Sequence, residues 1–319
     1  MNADSPYHPE LDQHPFYLGR HGESFGNADE LSQGRGEDKP NEPNGLTPAG
    51  VLQVELAAPA LVAAGIYVQH VSSSTLTRAK ESADAFVRAS IEPKPVLIGE
   101  VAPNEEDGLK EISQKGWEGV HARERTKQLR KEKLARFMGE LSLTGKLDQK
   151  DIEDYASWVM RLGGEGENQG ESPLGGALRG ISALEKHGVR PGELVFSHAM
   201  LNRYMDAIAT TVGSEGRERL RHILEDRSIP ETAMNIALIK ALKELGVKDF
   251  KTHDNPANRQ ANGGVTEYTV DHTSGQWVAG RRIEPPKPGS EHAYIEHWRN
   301  AQAGKWERIA PGGNNSDNE

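Results

Sequence analysis

The chain contains no cysteine. No disulfide, thiolate nucleophile or Cys-ligated zinc can form, and the composition fits a reducing compartment. No run approaches the roughly 20 apolar residues that a membrane-spanning helix needs, and residues 1–15 carry neither a basic cluster nor an apolar stretch of the exporting kind. Cytoplasm is the expected location, with no membrane partner. Apolar residues make up 35% of the 319 positions and aromatics 6%, against 34 glycines and 18 prolines, so much of the chain is expected in loops, lid or tail. Positive charge is in deficit, with 38 Lys and Arg against 48 Asp and Glu and a net charge of −10. That balance excludes a general nucleic-acid binder, whose affinity comes from Lys and Arg displacing counterions. Several motifs are also missing. His292 and His297 do not share a helical face, no His/Glu cluster has zinc spacing, and the glycines at 163, 164, 166 and 170 follow no strand. No Gly-Lys-Ser/Thr phosphate loop occurs, and Ser197 before His198 is not a nucleophile elbow. Neither a metal nor a cofactor is expected.

The most informative segment present is Phe16-Tyr17-Leu18-Gly19-Arg20-His21-Gly22-Glu23-Ser24, which sets an imidazole beside a guanidinium where a strand stops. A neutral imidazole nitrogen can attack phosphorus, an adjacent Arg can neutralise the equatorial oxygens, and Gly22 would let the backbone approach an anion. Two further segments have the same form. Val71-Ser72-Ser73-Ser74-Thr75-Leu76-Thr77-Arg78 reads as a strand end, a hydroxyl-rich turn and a helix start that delivers a second guanidinium. Glu193-Leu194-Val195-Phe196-Ser197-His198 is an apolar strand running into a second imidazole. In open α/β sheets ligands bind outside the carboxyl ends of the strands, so three such ends describe one converging site.

These blocks resemble the histidine phosphatase superfamily, which includes phosphoglycerate mutases and many phosphatases. Arg20-His21-Gly22-Glu23-Ser24 with Asn27 is similar to the family's nucleophile motif, and Leu46-Thr47-Pro48-Ala49-Gly50 with Gln53 to its next helix start. Ser73, Leu76, Arg78 and Ala79 resemble the second-arginine motif. Leu109-Lys110-Glu111-Ile112, followed by Gly116-Trp117-Glu118-Gly119, resembles the acid-bearing segment, and Ser197-His198 the second-histidine motif. The blocks keep the family's order over residues 15–215. Ala199-Met200 stand where the family commonly has glycine after the second histidine, which would narrow the pocket. The Glu111 context resembles the phosphatase branches more than the mutases.

The resemblance implies His21, Glu111 and His198 as catalytic residues, with Arg20, Arg78, Asn27 and Ser24 on the phosphate. His21 would attack phosphorus to form a phosphohistidine, its other ring nitrogen donating to a backbone carbonyl. Glu111 would protonate the leaving oxygen and then take a proton from water, with no metal required. The expected activity is phosphomonoester hydrolysis on a small phosphorylated metabolite or a phosphoprotein. A phosphoglycerate mutase-type phosphotransferase is the alternative, and a non-catalytic phosphate-binding protein a further one. A homodimer remains open.

Periodicity gives an α/β fold: a three-layer sandwich with a mostly parallel central sheet, a helical cap insertion over about 103–170 and an extended C-terminal region. Short strands are expected at 16–18, 68–72, 96–98 and 194–196, and helices at 47–64, 76–89, 120–142, 150–162, 172–184 and 201–212. Thr47 and Pro48 form a strong helix start. Past 213 the pattern weakens: 234–245 fits neither helix nor strand period, while 265–270 and 276–279 flank turn residues as a hairpin at the sheet edge. Residues 1–14 are expected to be disordered, 15–284 to form the domain, and 285–319 to be a linker and tail docked through Tyr294, Trp298 and Trp306. The basic stretch from Arg123 to Arg136 is read first as a solvated helix face, and second as a source of cations for substrate.

Overall fold

The computed structural model describes residues 15–31, 33–34, 44–101, 108–120, 123–250 and 260–286. The expectations for residues 1–14 and for Tyr294, Trp298 and Trp306 lie outside the described residues. Strand β1 (Phe16–Arg20) leads through a one-turn helix α1 (Phe25–Ala28) to α2 (Pro48–Ala63), β2 (His70–Ser73), α3 (Thr77–Ala89) and β3 (Val96–Glu100). The Glu111 loop follows, then α4 (Arg123–Leu143), α5 (Gln149–Val159), α6 (Pro173–His187), β4 (Glu193–Ser197) and α7 (Ala199–Ala209). Helices α8 (Ser214–Glu225) and α9 (Glu231–Glu244) and the hairpin β5 (Val265–Val270) and β6 (Trp277–Ile283) complete the chain.

The helix boundaries follow from local chemistry. The Thr47 side chain accepts from the Gly50 N–H with Pro48 at the first helical position, and Ser172 and Pro173 do the same for α6 through the Gly175 N–H. Gly188, at φ 66°, ends α6 in the left-handed conformation that glycine adopts at least cost. The segment of ambiguous period at 234–245 is helix α9. Its inward residues Ile236, Leu238, Ile239 and Leu242 are buried, and this wide apolar stripe blurs the helical period. Helix α8, not foreseen from the sequence, is rich in charged residues, with Leu220 buried and Ile223 and Leu224 packed against the core.

The six strands form one mixed sheet in the order β3-β2-β4-β1-β5-β6. The first four are mutually parallel, while β5 runs antiparallel to β1 and β6 to β5. Successive side chains divide between the two faces. Tyr17, Leu194 and Phe196 enter one core with Val54, Leu61, Val71 and Phe86. Leu18 and Val195 enter the other, larger core with residues of α5, α6, α7 and α9. The insertion is bound into that second layer. Trp158 of α5 packs edge-on to Tyr204 of α7 and to Phe250, with ring centroids 5.5 and 5.4 Å apart.

The register decides where the chemistry falls. Arg20 pairs with Ser197 across β1 and β4, and Ser73 with Phe196 across β2 and β4. Three parallel strands therefore end side by side, and the residues just past their ends share one rim of the sheet. At that rim Gly22 lies against α2. A Cβ on Gly22 would stand 2.2 Å from the Gly50 carbonyl oxygen, so the turn after His21 can close on the helix only without side chains at either position.

Candidate active site

His21 leaves the end of β1 and is 3% exposed. Its Nδ1 lies 2.6 Å from the Gly22 carbonyl oxygen. A carbonyl only accepts, so Nδ1 carries the proton and Nε2 presents its lone pair. That lone pair accepts from Arg78 Nε at 3.2 Å. Burial first, then the charges of Arg78 and Arg20, hold the His21 pKa well below the ordinary imidazole value, against the opposing pull of the Gly22 carbonyl.

His198 is the N-cap residue of α7, one position past β4, and is fully buried. Its ring centroid is 5.2 Å from that of His21. Nε2 is 2.9 Å from Ser74 Oγ, while Nδ1 has no hydrogen-bond partner among the described residues. A buried imidazole nitrogen without a partner costs free energy unless a ligand or water satisfies it. Burial, then Arg78, then His21, Arg179 and Arg20, depress this imidazole as well.

The guanidiniums are held by backbone carbonyls. Arg78, in the first turn of α3 and 2% exposed, donates from Nη2 to Gly34 O at 3.2 Å. Arg20 donates from Nη1 to Gln260 O at 2.8 Å. Gln260 is itself fixed by Nε2 donating to Leu18 O and by Asn202 Nδ2 donating to its Oε1. The region after residue 213 thus supplies a support of the site that nothing in the sequence marked, since Gln260 sits in a polar stretch without periodicity.

Glu111 is 5% exposed and lies at the start of α7. Its Oε1 accepts from the Ile112 and Leu201 N–H groups at 2.9 Å each, and Oε2 from the Met200 N–H at 3.1 Å. A carboxylate offers about four acceptor positions, so these three bonds orient the group and leave one position on Oε2. The loop is held by Arg179, which donates to the carbonyls of Gly108 and Lys110.

Other expected contacts are placed differently. Ser24 is buried and closes a capping box on α1: its Oγ accepts from Asn27 N and donates to Gln33 Oε1, while the Asn27 side chain accepts from Ser24 N and donates to the same Gln33 oxygen. Both side chains therefore fasten Gln33 beside Gly34, the acceptor of Arg78. The Gly22 N–H, expected to face an anion, donates to Ser82 Oγ at 3.1 Å, because the turn packs on α2 and α3. Ser74 meets His198.

Three cations of the basic helix α4 are engaged away from the two imidazoles. Lys133 donates to the carbonyls of Gly163 and Gly164 and lies over the Trp117 ring, Arg130 lies over Phe250, and Arg136 pairs with Glu165 at the surface. Among the described residues no group of three or more His, Cys, Asp or Glu could hold a metal ion, and no helix is long and apolar enough to cross a membrane.

Two buried imidazoles and two guanidiniums are thus gathered at the carboxyl ends of the parallel strands of a mixed α/β sheet. The family model of the histidine phosphatase superfamily (branch 1) matches residues 16–143, and this part of the chain belongs to that superfamily. The matched span includes Arg20, His21, Arg78 and Glu111; His198 lies beyond it and joins the site by geometry. No curated protein matches the chain. Among solved structures, a mycobacterial glucosyl-3-phosphoglycerate phosphatase is similar at 15% identity and TM-score 0.46, over 86% of this chain and 99% of that one. The Bacillus stearothermophilus protein YhfR is similar at 16% identity and TM-score 0.44, over 86% of this chain and 97% of that one.

Proposed function

We propose that the chain is a phosphomonoester hydrolase that works through a phosphohistidine at His21. The observation that carries this reading is that the buried His21 and His198 rings lie 5.2 Å apart with the Arg78 Nε 3.2 Å from His21 Nε2 and with His198 Nδ1 left without a partner among the described residues. Neutral imidazoles inside a positive cluster are poised for an anion. The substrate's phosphoryl oxygens take over the Arg78 and Arg20 guanidiniums, freeing His21 Nε2 for in-line attack. The N–P bond forms as the P–O ester bond breaks, and the departing oxygen takes a proton from Glu111. Water then attacks phosphorus, Glu111 takes its proton, the N–P bond breaks, and inorganic phosphate leaves with His21 neutral again. His198 Nδ1, with its proton fixed by the Ser74 hydroxyl at Nε2, donates to a phosphoryl oxygen. The substrate class is a small phosphorylated metabolite or phosphoprotein, and the site's residues need no metal or cofactor for these steps.

The test is a panel of phosphoesters assayed with wild type beside His21→Ala, together with a neutral or alkaline quench of ³²P-labelled substrate. Phosphate release by wild type, an acid-labile label on the protein and loss of both in His21→Ala are expected. Turnover without any trapped label, surviving in His21→Ala, would overturn the covalent route. Conversion of 3-phosphoglycerate to 2-phosphoglycerate without net phosphate release would make the enzyme a mutase instead.

A further inference from the structure

Arg179, on α6, reaches out of its helix to the loop that carries Glu111. Its Nε and Nη2 grip both oxygens of Glu171 at 3.0 Å each, Nη1 donates to Gly108 O, and Nη2 donates to Lys110 O at 3.0 Å. The Glu171 N–H in turn donates to Ser113 O at 3.0 Å. The Arg179 side chain therefore holds the chain before Glu111, at 108 and 110, and the backbone of its partner Glu171 holds it after, at 113. Bidentate pairing fixes the guanidinium in orientation as well as in place. Both side chains are 16% exposed, so water screens the pair little.

Arg179 and Glu171 also line a cleft of about 720 Å³ between α6 and the α8–α9 turn. Arg20, His21, Arg78, Glu111 and His198 are absent from its walls. The pair reaches Glu111 through the loop, and the Arg179 charge also acts on His198.

We propose that Arg179 and Glu171 are positioning residues that set the depth of the Glu111 carboxyl against the leaving-group oxygen. The inference rests on the assignment of Glu111 as the proton donor in the proposed hydrolysis. Two anchors then share the task. The N-terminus of α7 orients the carboxyl, and the α6 clamp sets where its backbone stands. A displacement near 1 Å in such a group can cost on the order of 10²-fold. The loss should appear only where the leaving oxygen needs a proton.

The experiment compares p-nitrophenyl phosphate, whose leaving group needs little protonation, with glycerol 1-phosphate, whose leaving group needs it fully. Wild type, Glu111→Gln, Arg179→Met, Glu171→Gln and the Glu111→Gln/Arg179→Met double variant are assayed as full-length chains. Arg179→Met is expected to lower kcat on the alkyl ester by roughly 10- to 100-fold and on the aryl ester by less than about 5-fold. The double variant should be no slower on the alkyl ester than Glu111→Gln, because residues acting through one group are not additive. Equal losses on the two esters, or additive losses in the double variant, would overturn the inference. If Arg179→Met does not fold, Arg179→Lys, which keeps the charge but loses the fork, carries the same ester comparison. Should Glu111→Gln itself slow both esters equally, the acid assignment fails and the clamp's role with it. If Glu111→Gln is selective and the Arg179 variants are not, only the clamp falls.

Discussion

Two buried imidazoles with depressed pKa make this fold sensitive to mild acid, and the sign and size of the effect can be worked out. In the unfolded chain His21 and His198 titrate near 6.5. In the folded chain both are held well below that value, first by burial and next by Arg78. Below pH 6.5 the unfolded state therefore binds more protons than the folded one, and stability falls as pH falls. The loss continues until the folded pKa values are reached, where the slope vanishes. Between pH 7.5 and 5.5 each imidazole removes on the order of 1 kcal/mol, a noticeable part of an ordinary domain's stability. Urea melts followed by tryptophan fluorescence, with Trp117 and Trp158 buried, read the change at the two pH values. The His21→Gln/His198→Gln variant should keep every other titration and lose this one, so its stability should fall less steeply over the same interval. Matching slopes in the two proteins would refute the depression of these imidazoles, and with it the account of a nucleophile kept neutral by its surroundings.

Arg78→Met should cost roughly 10²–10³-fold in kcat, as the loss of one preorganised donor to a charged oxygen commonly does. It should also move the acid limb of the kcat/KM profile upward, because the second-largest cause of the His21 depression is gone; a profile unchanged in pH would contradict this. Gly22→Ala forces a methyl to within 2.2 Å of the Gly50 carbonyl oxygen and should destabilise the fold by about 1–3 kcal/mol, read as a lowered Tm. Lys133→Met removes the donor to the Gly163 and Gly164 carbonyls and should lower stability by about 1–2 kcal/mol while leaving KM for a phosphoester unchanged; a raised KM would restore a substrate role to the basic helix.

What could be read in the sequence is what is encoded locally. A β-branched or aromatic run that stops at Arg20-His21 or Ser197-His198 specifies both a strand and the chemistry at its end. Thr47-Pro48 and Ser172-Pro173 mark helix starts by satisfying their own backbone donors. The supports of the site are another matter, since their partners are far away along the chain. Gln260 reaches Leu18 across 242 positions and Glu111 reaches Leu201 across 90. Neither Gln260 nor Arg179 announces such a role through spacing. Ser24 is a different case. A hydroxyl in the nucleophile motif looks like a phosphate donor, but its distance from Asn27 is that of a capping box, and the local bond won. Helices α8 and α9 differ in their patterning: α8 confines its apolar stripe to Leu220, Ile223 and Leu224 within a charged run, and α9 buries a stripe too wide to show a clean period.

The destabilisation of the imidazoles and the preparation of the site have one physical origin. His21 and His198 are kept neutral because protonating either would add a positive charge beside Arg78 and Arg20 in a buried place. A dianionic phosphoryl group reverses that balance, since the same guanidinium charges then have an anion to hold. The net charge of −10 belongs to the whole chain, whereas the groups that act on these two imidazoles are cationic. In the proposed reaction, recognition of a phosphoester would be a local property of one rim of the sheet, built where β1, β2 and β4 end together.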